Sequence, residues 1–442
     1  MRRKTPLTDE QPPRRGVSPA RRDIRWDKLD NTAHLFPVIA GEQMSNVYRI
    51  SVTLHELIDP RLLQQALDLV LPKFDGFNLR LRHGVFWHYF EENGKHAPRV
   101  REERSYPCRF IQANRNNSYL FRVSYYKYRI NLEVFHVLTD GMGGLNFLRE
   151  LTYQYLRLTH PELRETLGDS LVSGTTLNRE DSFLRHYKKR SRRLYQTRRA
   201  YLLRGERLRS GEFGVMHGYL PIPRLKEVCR AYGASINEYL VAAYIWSVYT
   251  EQLHASPSAR PIRVAVPVNL RPYFNSITTK NFFVMVSAEF LPTGEDHTFE
   301  DILTAVRSSL REQLDGDTLE RIFSYNVSNQ INPLLKLFPL PLKNLAMRRV
   351  YSRSALANTT TITNIGSIEV AAPYRPYIDR FHAFLAMSKG QHVKGTICSY
   401  GETLVFSFSY DLQEPSVQRG FFRRLTADGI PVEIESNGVH YG

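Results

Sequence analysis

The chain has 442 residues, 42% of them hydrophobic and 24% charged, a balance that suits two or three folded domains and excludes disorder as the main state. Its net charge of +16 favours phosphate-bearing or acidic partners without choosing among nucleic acid, an anionic membrane, an acidic protein and a cofactor with phosphates. The three cysteines, Cys108, Cys229 and Cys398, match no metal or redox spacing, which points to free thiols, no metal site and a cytoplasmic location.

Residues 1–25 carry Pro12, Pro13, Pro19 and eight Lys or Arg. They show no apolar period, and the segment reads as a disordered basic tail. No apolar stretch follows that would make it a secretory signal. The longest apolar run, Tyr239 to Tyr249, is too short to span a bilayer.

Val47 to Leu54 alternates as a strand does, and Asp59 is placed to cap a helix running to about Leu71. Phe77 to Glu91 reads as a hairpin turning at His83-Gly84. Tyr119 to Tyr126 and Arg129 to Leu138 form a second strand pair. A helix then follows from Gly141 to Leu156, with Leu145, Leu148, Leu151 and Tyr155 on one face.

From 161 to 214 the chain becomes polar and then strongly basic, with eleven Lys or Arg against Glu206 alone between Arg185 and Arg209. This stretch is expected to be a crossover between an N-terminal unit, 26–160, and a C-terminal unit, 215–442. In the second unit, Ser235 and Glu238 make a capping box for an apolar helix reaching about Gln252. Ile262–Asn269, Asn281–Leu291, Thr359–Val370, Gly395–Tyr400 and Thr403–Tyr410 read as strands, and Thr298–Leu314 as an amphipathic helix. Two α+β halves joined by a polar crossover fit this order.

The segment with the most chemistry is NLEVFHVLTDGMGGLNFLREL, Asn131 to Leu151. Leu132, Val134 and His136 share one strand face, so the strand delivers a single imidazole beyond two apolar side chains. Asp140 follows four residues on, and Gly141, Gly143 and Gly144 leave room for a tight turn into the helix. A neutral imidazole can take a proton from a hydroxyl, amine or thiol near neutral pH. Neither serine nor cysteine is set in a pattern that marks a covalent nucleophile.

His136-Val-Leu-Thr-Asp140-Gly141 resembles the HxxxDG motif of the chloramphenicol-acetyltransferase-like superfamily, which includes alcohol acetyltransferases and peptide-synthetase condensation domains. Val266–Phe274 is similar to the strand that ends in an arginine in that family, Thr363–Ile368 to the segment after which the acyl-CoA side is assembled, and Phe406–Asp411 to the closing strand. The resemblance covers about residues 26–442 and is nearest the alcohol acetyltransferase and condensation-domain-like branch. Phe135 stands where condensation domains carry a first histidine, and the DFGWG motif of plant members is absent.

The resemblance implies an α/β fold of two sandwich-like subdomains forming a pseudo-dimer around a central tunnel. It implies His136 as general base, Asp140 as a structural residue paired with Arg271, Gly141 beside the histidine, and Asn364 and Gly366 along a substrate channel. The implied reaction moves an acyl group, such as acetyl, from CoA to a small alcohol or amine in a ternary complex. Acyl-CoA is then a co-substrate, no cofactor is tightly bound, and the protein is a monomer. Two alternatives are a thioester donor on an acyl carrier protein and a non-enzymatic phosphate- or nucleic-acid-binding role. No nucleic-acid-binding motif supports the latter.

Overall fold

A computed structural model describes residues 26–164, 180–189, 198–294, 296–332 and 337–438. The expected basic tail, and residues 165–179 and 190–197 of the expected crossover, lie outside them.

In chain order the first strands are β1 (Trp26–Lys28), β2 (Val47–Leu54), β3 (Leu79–His83), β4 (His88–Glu92), β5 (Arg101–Glu102), β6 (Phe121–Tyr126) and β7 (Arg129–Phe135). The second half adds β8 (Gly214–Pro221), β9 (Ile262–Asn269), β10 (Phe283–Phe290), β11 (Thr360–Ser367), β12 (Ile378–Leu385), β13 (Val393–Tyr400), β14 (Thr403–Tyr410) and β15 (Glu433–Ser436). They make a small sheet β1-β4-β3, a five-stranded sheet β12-β2-β7-β6-β5 and a seven-stranded sheet β10-β9-β11-β13-β14-β8-β15.

The five-stranded sheet mixes the two halves of the chain. β12 pairs antiparallel with β2, Phe381 opposite Val52 and Leu385 opposite Tyr48, with an irregularity near Ile378. β2 pairs in turn with β7, Val47 opposite Phe135. The helix Gly141–Thr159 packs on β2 and β7 of this sheet, the helix Pro60–Val70 packs on it in turn, and their Leu63, Leu67, Leu148 and Leu151 are fully buried. Asp59 caps the first of them by accepting from the amides of Arg61 and Leu62, satisfying donors that a helix start leaves unpaired.

The helix Ile236–Glu251 is apolar on all sides because it is covered on all sides. It packs on the helices Phe299–Arg311 and Ser416–Ala427 and on β9, and Tyr239, Leu240, Ile245 and Val248 are completely buried. Its capping box is formed, the Ser235 hydroxyl accepting from the Glu238 amide and the Glu238 carboxylate from the Ser235 amide. A helix with no polar face belongs in a core, and this one centres the second.

Both faces of β7 are buried, so its outward-pointing charge needs partners. Glu133 is 1% exposed and accepts from Arg49 Nη2 at 2.7 Å and from the Cys108 amide at 2.6 Å; Arg122 pairs with its other oxygen. These neighbours hold its carboxyl below the usual range although burial pushes the other way. The network locks β2, β6 and β7 together one residue from the face that carries His136.

Candidate active site

His136 is the first residue past β7, and its amide still donates to the Asn46 carbonyl at 3.0 Å. The ring is stacked on Phe36 at 4.6 Å and meets Tyr48 edge-on at 5.1 Å; Phe283 of the second half lies 5.6 Å away. Packing on three rings leaves the imidazole few rotamers. Burial lowers its pKa below the ordinary value, against the opposing charge of Asp140 and its bond to Asn281, so the ring is neutral at pH 7.

Its tautomer follows from the neighbours. Asn281, just before β10, turns its amide nitrogen to Asp30 Oδ2 at 2.9 Å, and its oxygen faces His136 Nδ1 at 3.0 Å. An amide oxygen only accepts, so Nδ1 carries the hydrogen and Nε2 keeps its lone pair. Asp30 also accepts from the Ala33 amide at 2.8 Å. Burial raises its carboxyl to about 7. Asp30 and Asn281 had no signal in the sequence: each is a polar residue in a short loop, and only the fold brings them within reach of the histidine.

Asp140 turns away from the ring. One oxygen accepts from Arg271 Nη1 at 2.8 Å and from the Phe282 amide at 3.1 Å; the other accepts from Arg271 Nη2 at 3.2 Å and caps the following helix through the Gly143 amide at 3.3 Å. Arg271 spends its remaining donors on the carbonyls of Thr278 and Lys280, at 2.9 and 2.7 Å, and on Asn269 Oδ1 at 3.2 Å. Thr139 Oγ1 donates to the Thr279 carbonyl at 2.6 Å. Residues 278–282 of the second half therefore grip the loop that follows His136.

The three glycines differ. None has positive φ, so the turn itself does not demand them. A Cβ on Gly144 would stand 2.5 Å from the Tyr48 hydroxyl, which donates to the Asp140 carbonyl at 2.7 Å, and one on Gly143 would collide with Thr139. A Cβ on Gly141 would meet only Ile365 of β11, at 3.8 Å. Close packing, and not turning, explains Gly143 and Gly144.

Asn364 and Gly366 flank that Ile365. The Asn364 side chain accepts from the Gly366 amide at 2.8 Å, Gly366 has φ +88, and the pairing with β13 shifts there. The bulge sits beside Gly141 at the seam of the two halves. Lys394 on β13 was missed in the sequence. It is buried, donates to the Ala386 carbonyl and Ser388 Oγ at 2.8 and 2.6 Å, and burial lowers its pKa to about 7.

A concavity of about 1380 Å³ lies elsewhere, between the helix Pro60–Val70 and residues 92–104. Among the described residues no cluster of His, Cys, Asp or Glu could hold a metal ion, and no helix is long and apolar enough to cross a membrane. The three cysteines are buried and unpaired. Burial raises the thiols, Cys229 and Cys398 to about 12, which leaves none as a thiolate nucleophile.

No family model matches the chain, and no curated protein matches its sequence. Solved structures do match its fold. Polyketide synthase associated protein 5 from Mycobacterium tuberculosis superposes with a TM-score of 0.56 at 16% identity, covering 90% of this chain and 96% of that one. TRI101 of Fusarium sporotrichioides, solved with coenzyme A and T-2, gives 0.59 at 12% identity over 91% and 97%. The condensation domain of the monacolin K polyketide synthase MokA gives 0.55 at 12% over 92% and 97%. Matched over nine-tenths of its length, the chain has the mixed α/β, two-subdomain fold of these structures.

Proposed function

We propose that the protein is an acyltransferase that moves an acyl group from a CoA thioester to an alcohol or amine, with His136 as general base. The observation that carries this reading is the neutral imidazole at the seam of the two halves, its Nδ1 hydrogen held by Asn281 and its Nε2 lone pair turned to the other side. Nε2 takes the proton of the acceptor as its oxygen or nitrogen attacks the thioester carbonyl. The tetrahedral intermediate then collapses with cleavage of the C–S bond, and the imidazolium returns the proton to the departing thiolate. Asp140 and Arg271 hold the loop and stay out of the chemistry. The bulge at Asn364–Gly366 would line the donor side.

The fold neighbours support the class of reaction: one was solved with coenzyme A and T-2, and another is a condensation domain. A carrier-protein thioester is the second reading for the donor, favoured by the net charge of +16, since carrier proteins are acidic. Turnover with CoA-linked against carrier-linked acyl groups separates the two.

His136→Ala should fold and retain CoA binding while kcat in a thiol-release assay falls by about 10²–10⁴-fold. Retention of more than about a tenth of the activity, against that expectation, would remove His136 from the mechanism.

A further inference from the structure

The helix Leu340–Ala355 carries Lys343, Arg348, Arg349 and Arg353 and no acidic residue. Among its exposed residues, Leu342, Leu345, Ala346, Arg349, Val350 and Arg353 recur at three- and four-residue steps. They form one stripe along the outside of the helix. Leu342, Leu345 and Val350 are each more than half exposed, as is Leu337 just ahead of the helix. The turn between β3 and β4 extends this surface: Val85 and Trp87 are also more than half exposed, and the Val85 carbonyl accepts from the Leu340 amide at 3.0 Å.

Two distant parts of the chain thus pool their exposed apolar side chains on one face. Scattered surface leucines need no explanation, but a contiguous apolar patch marks an interaction site. The charges on this one select its partner. Exposed aliphatic side chains beside arginines, with no acid on the helix, suit contact with an anionic lipid interface. Arg349 and Arg353 can run their stems along the apolar surface and place their guanidinium groups among phosphates. A second copy of the chain would set the same cations against each other.

We propose that this face docks on an anionic phospholipid bilayer. The helix is anchored to the body of the protein from its flank, where Arg348 Nε donates to the Val38 carbonyl at 2.8 Å, and from its inner side, where the Tyr351 hydroxyl donates to Met44 Sδ at 3.2 Å. Val38 belongs to the short helix Phe36–Ile39, and Phe36 is the ring stacked on His136. The bilayer surface therefore lies two helices away from the imidazole, this one and Phe36–Ile39, and an apolar acyl chain or acceptor dissolved in it would reach the site past Phe36. That last step rests on the acyl-transfer reading; the docking surface does not.

Gradient flotation of the full-length protein tests the proposal, with vesicles of phosphatidylcholine alone or mixed with phosphatidylglycerol. The protein should float with the mixed vesicles and about tenfold less with the neutral ones, as expected where several cations sit near an anionic surface. Leu342→Glu with Leu345→Glu, and separately Arg349→Glu with Arg353→Glu, should each cut flotation by about tenfold or more at unchanged Tm. Thiol release with a water-soluble donor and acceptor should stay at the wild-type rate in both, so that failure of docking and failure of the acyl-transfer reading give different results. Unchanged flotation of both variants, or no flotation of the wild type, overturns the proposal. A concentration-dependent dimer in light scattering that the same substitutions abolish would assign the face to a second copy and also overturn it.

Discussion

At the scale of single residues, the contact between Asn281 and His136 makes the sharpest demand. With alanine at 281 the ring loses the acceptor that fixes its hydrogen on Nδ1, and both tautomers become available. Asn281→Ala should lower kcat by about tenfold to a hundredfold, within the range assigned to general-base help, with little change in KM. Kinetics over a pH series check this. The apparent base pKa should also move, because one of the interactions favouring the protonated ring is lost while burial remains. A purely structural role would lower Tm and leave the pH profile in place.

The glycines offer a second residue-scale contrast. Gly144→Ala drives a methyl group toward the Tyr48 hydroxyl and should cost about 1–3 kcal/mol, the usual range for overpacking. Gly141→Ala meets only ordinary contact with Ile365 in the first turn of a helix. It should be neutral or stabilising by about 0.4–1 kcal/mol. Denaturant unfolding of the pair checks the order.

At the scale of elements, the Asp140–Arg271 pair ties a helix start in one half to a strand end in the other. Side-chain exposures of 9% and 14% place it largely out of solvent. Removing one partner strands the other, a loss of about 3–5 kcal/mol at a buried site. The double variant Asp140→Asn with Arg271→Ala should be less damaged than the sum of the singles, with a coupling of about 0.5–3 kcal/mol. A double-mutant cycle in denaturant checks the coupling, and additive losses would make the pair energetically idle.

Elements with a clean period were legible before the fold was known. β9 and β14 begin and end where alternation places them, and the capping box at Ser235 is formed. β8 was not, because Gly214, Gly218 and Pro221 give it weak strand propensity. Its Gly214 and Gly218 instead make room for the rings of Tyr410 and Phe422. β12 was missed because Asp379, Arg380 and His382 interrupt its apolar residues. Of the site, His136, Asp140 and Arg271 could be picked out because their motif is local or carried by resemblance. Asp30 and Asn281 could not, since a hydrogen bond between residues far apart in sequence leaves no local trace.

At the scale of the whole molecule, buried imidazoles set the response to acid. Burial lowers His34 and His88 to about 4 and His217 to about 3, and places His136 and His382 below their ordinary value as well. In the unfolded chain each would titrate near its ordinary value of about 6.5. Below that pH the unfolded state binds protons that the folded state refuses, so stability falls as pH falls toward the folded values. Asp30 works in the opposite sense. Its raised carboxyl stabilises the fold at low pH, and this contribution fades as pH rises from about 4 toward 7. Five imidazoles against the raised carboxyls of Asp30 and Asp181 should make Tm decline from pH 7 to pH 5, as thermal scans across that range would show. Each imidazole fully kept neutral at pH 5 would contribute about 2 kcal/mol to that loss.

The pairing of β12 with β2 has a consequence for synthesis. The outer edge of β2 finds its partner only when residues 378–385 have left the ribosome. At the usual elongation rates of about 5–20 residues per second, that is a delay on the order of tens of seconds. Throughout it, the first half presents an open strand edge to every other nascent chain nearby. The five-stranded sheet is therefore completed only late in synthesis, and a chaperone that shields the β2 edge until then should raise the yield of native protein.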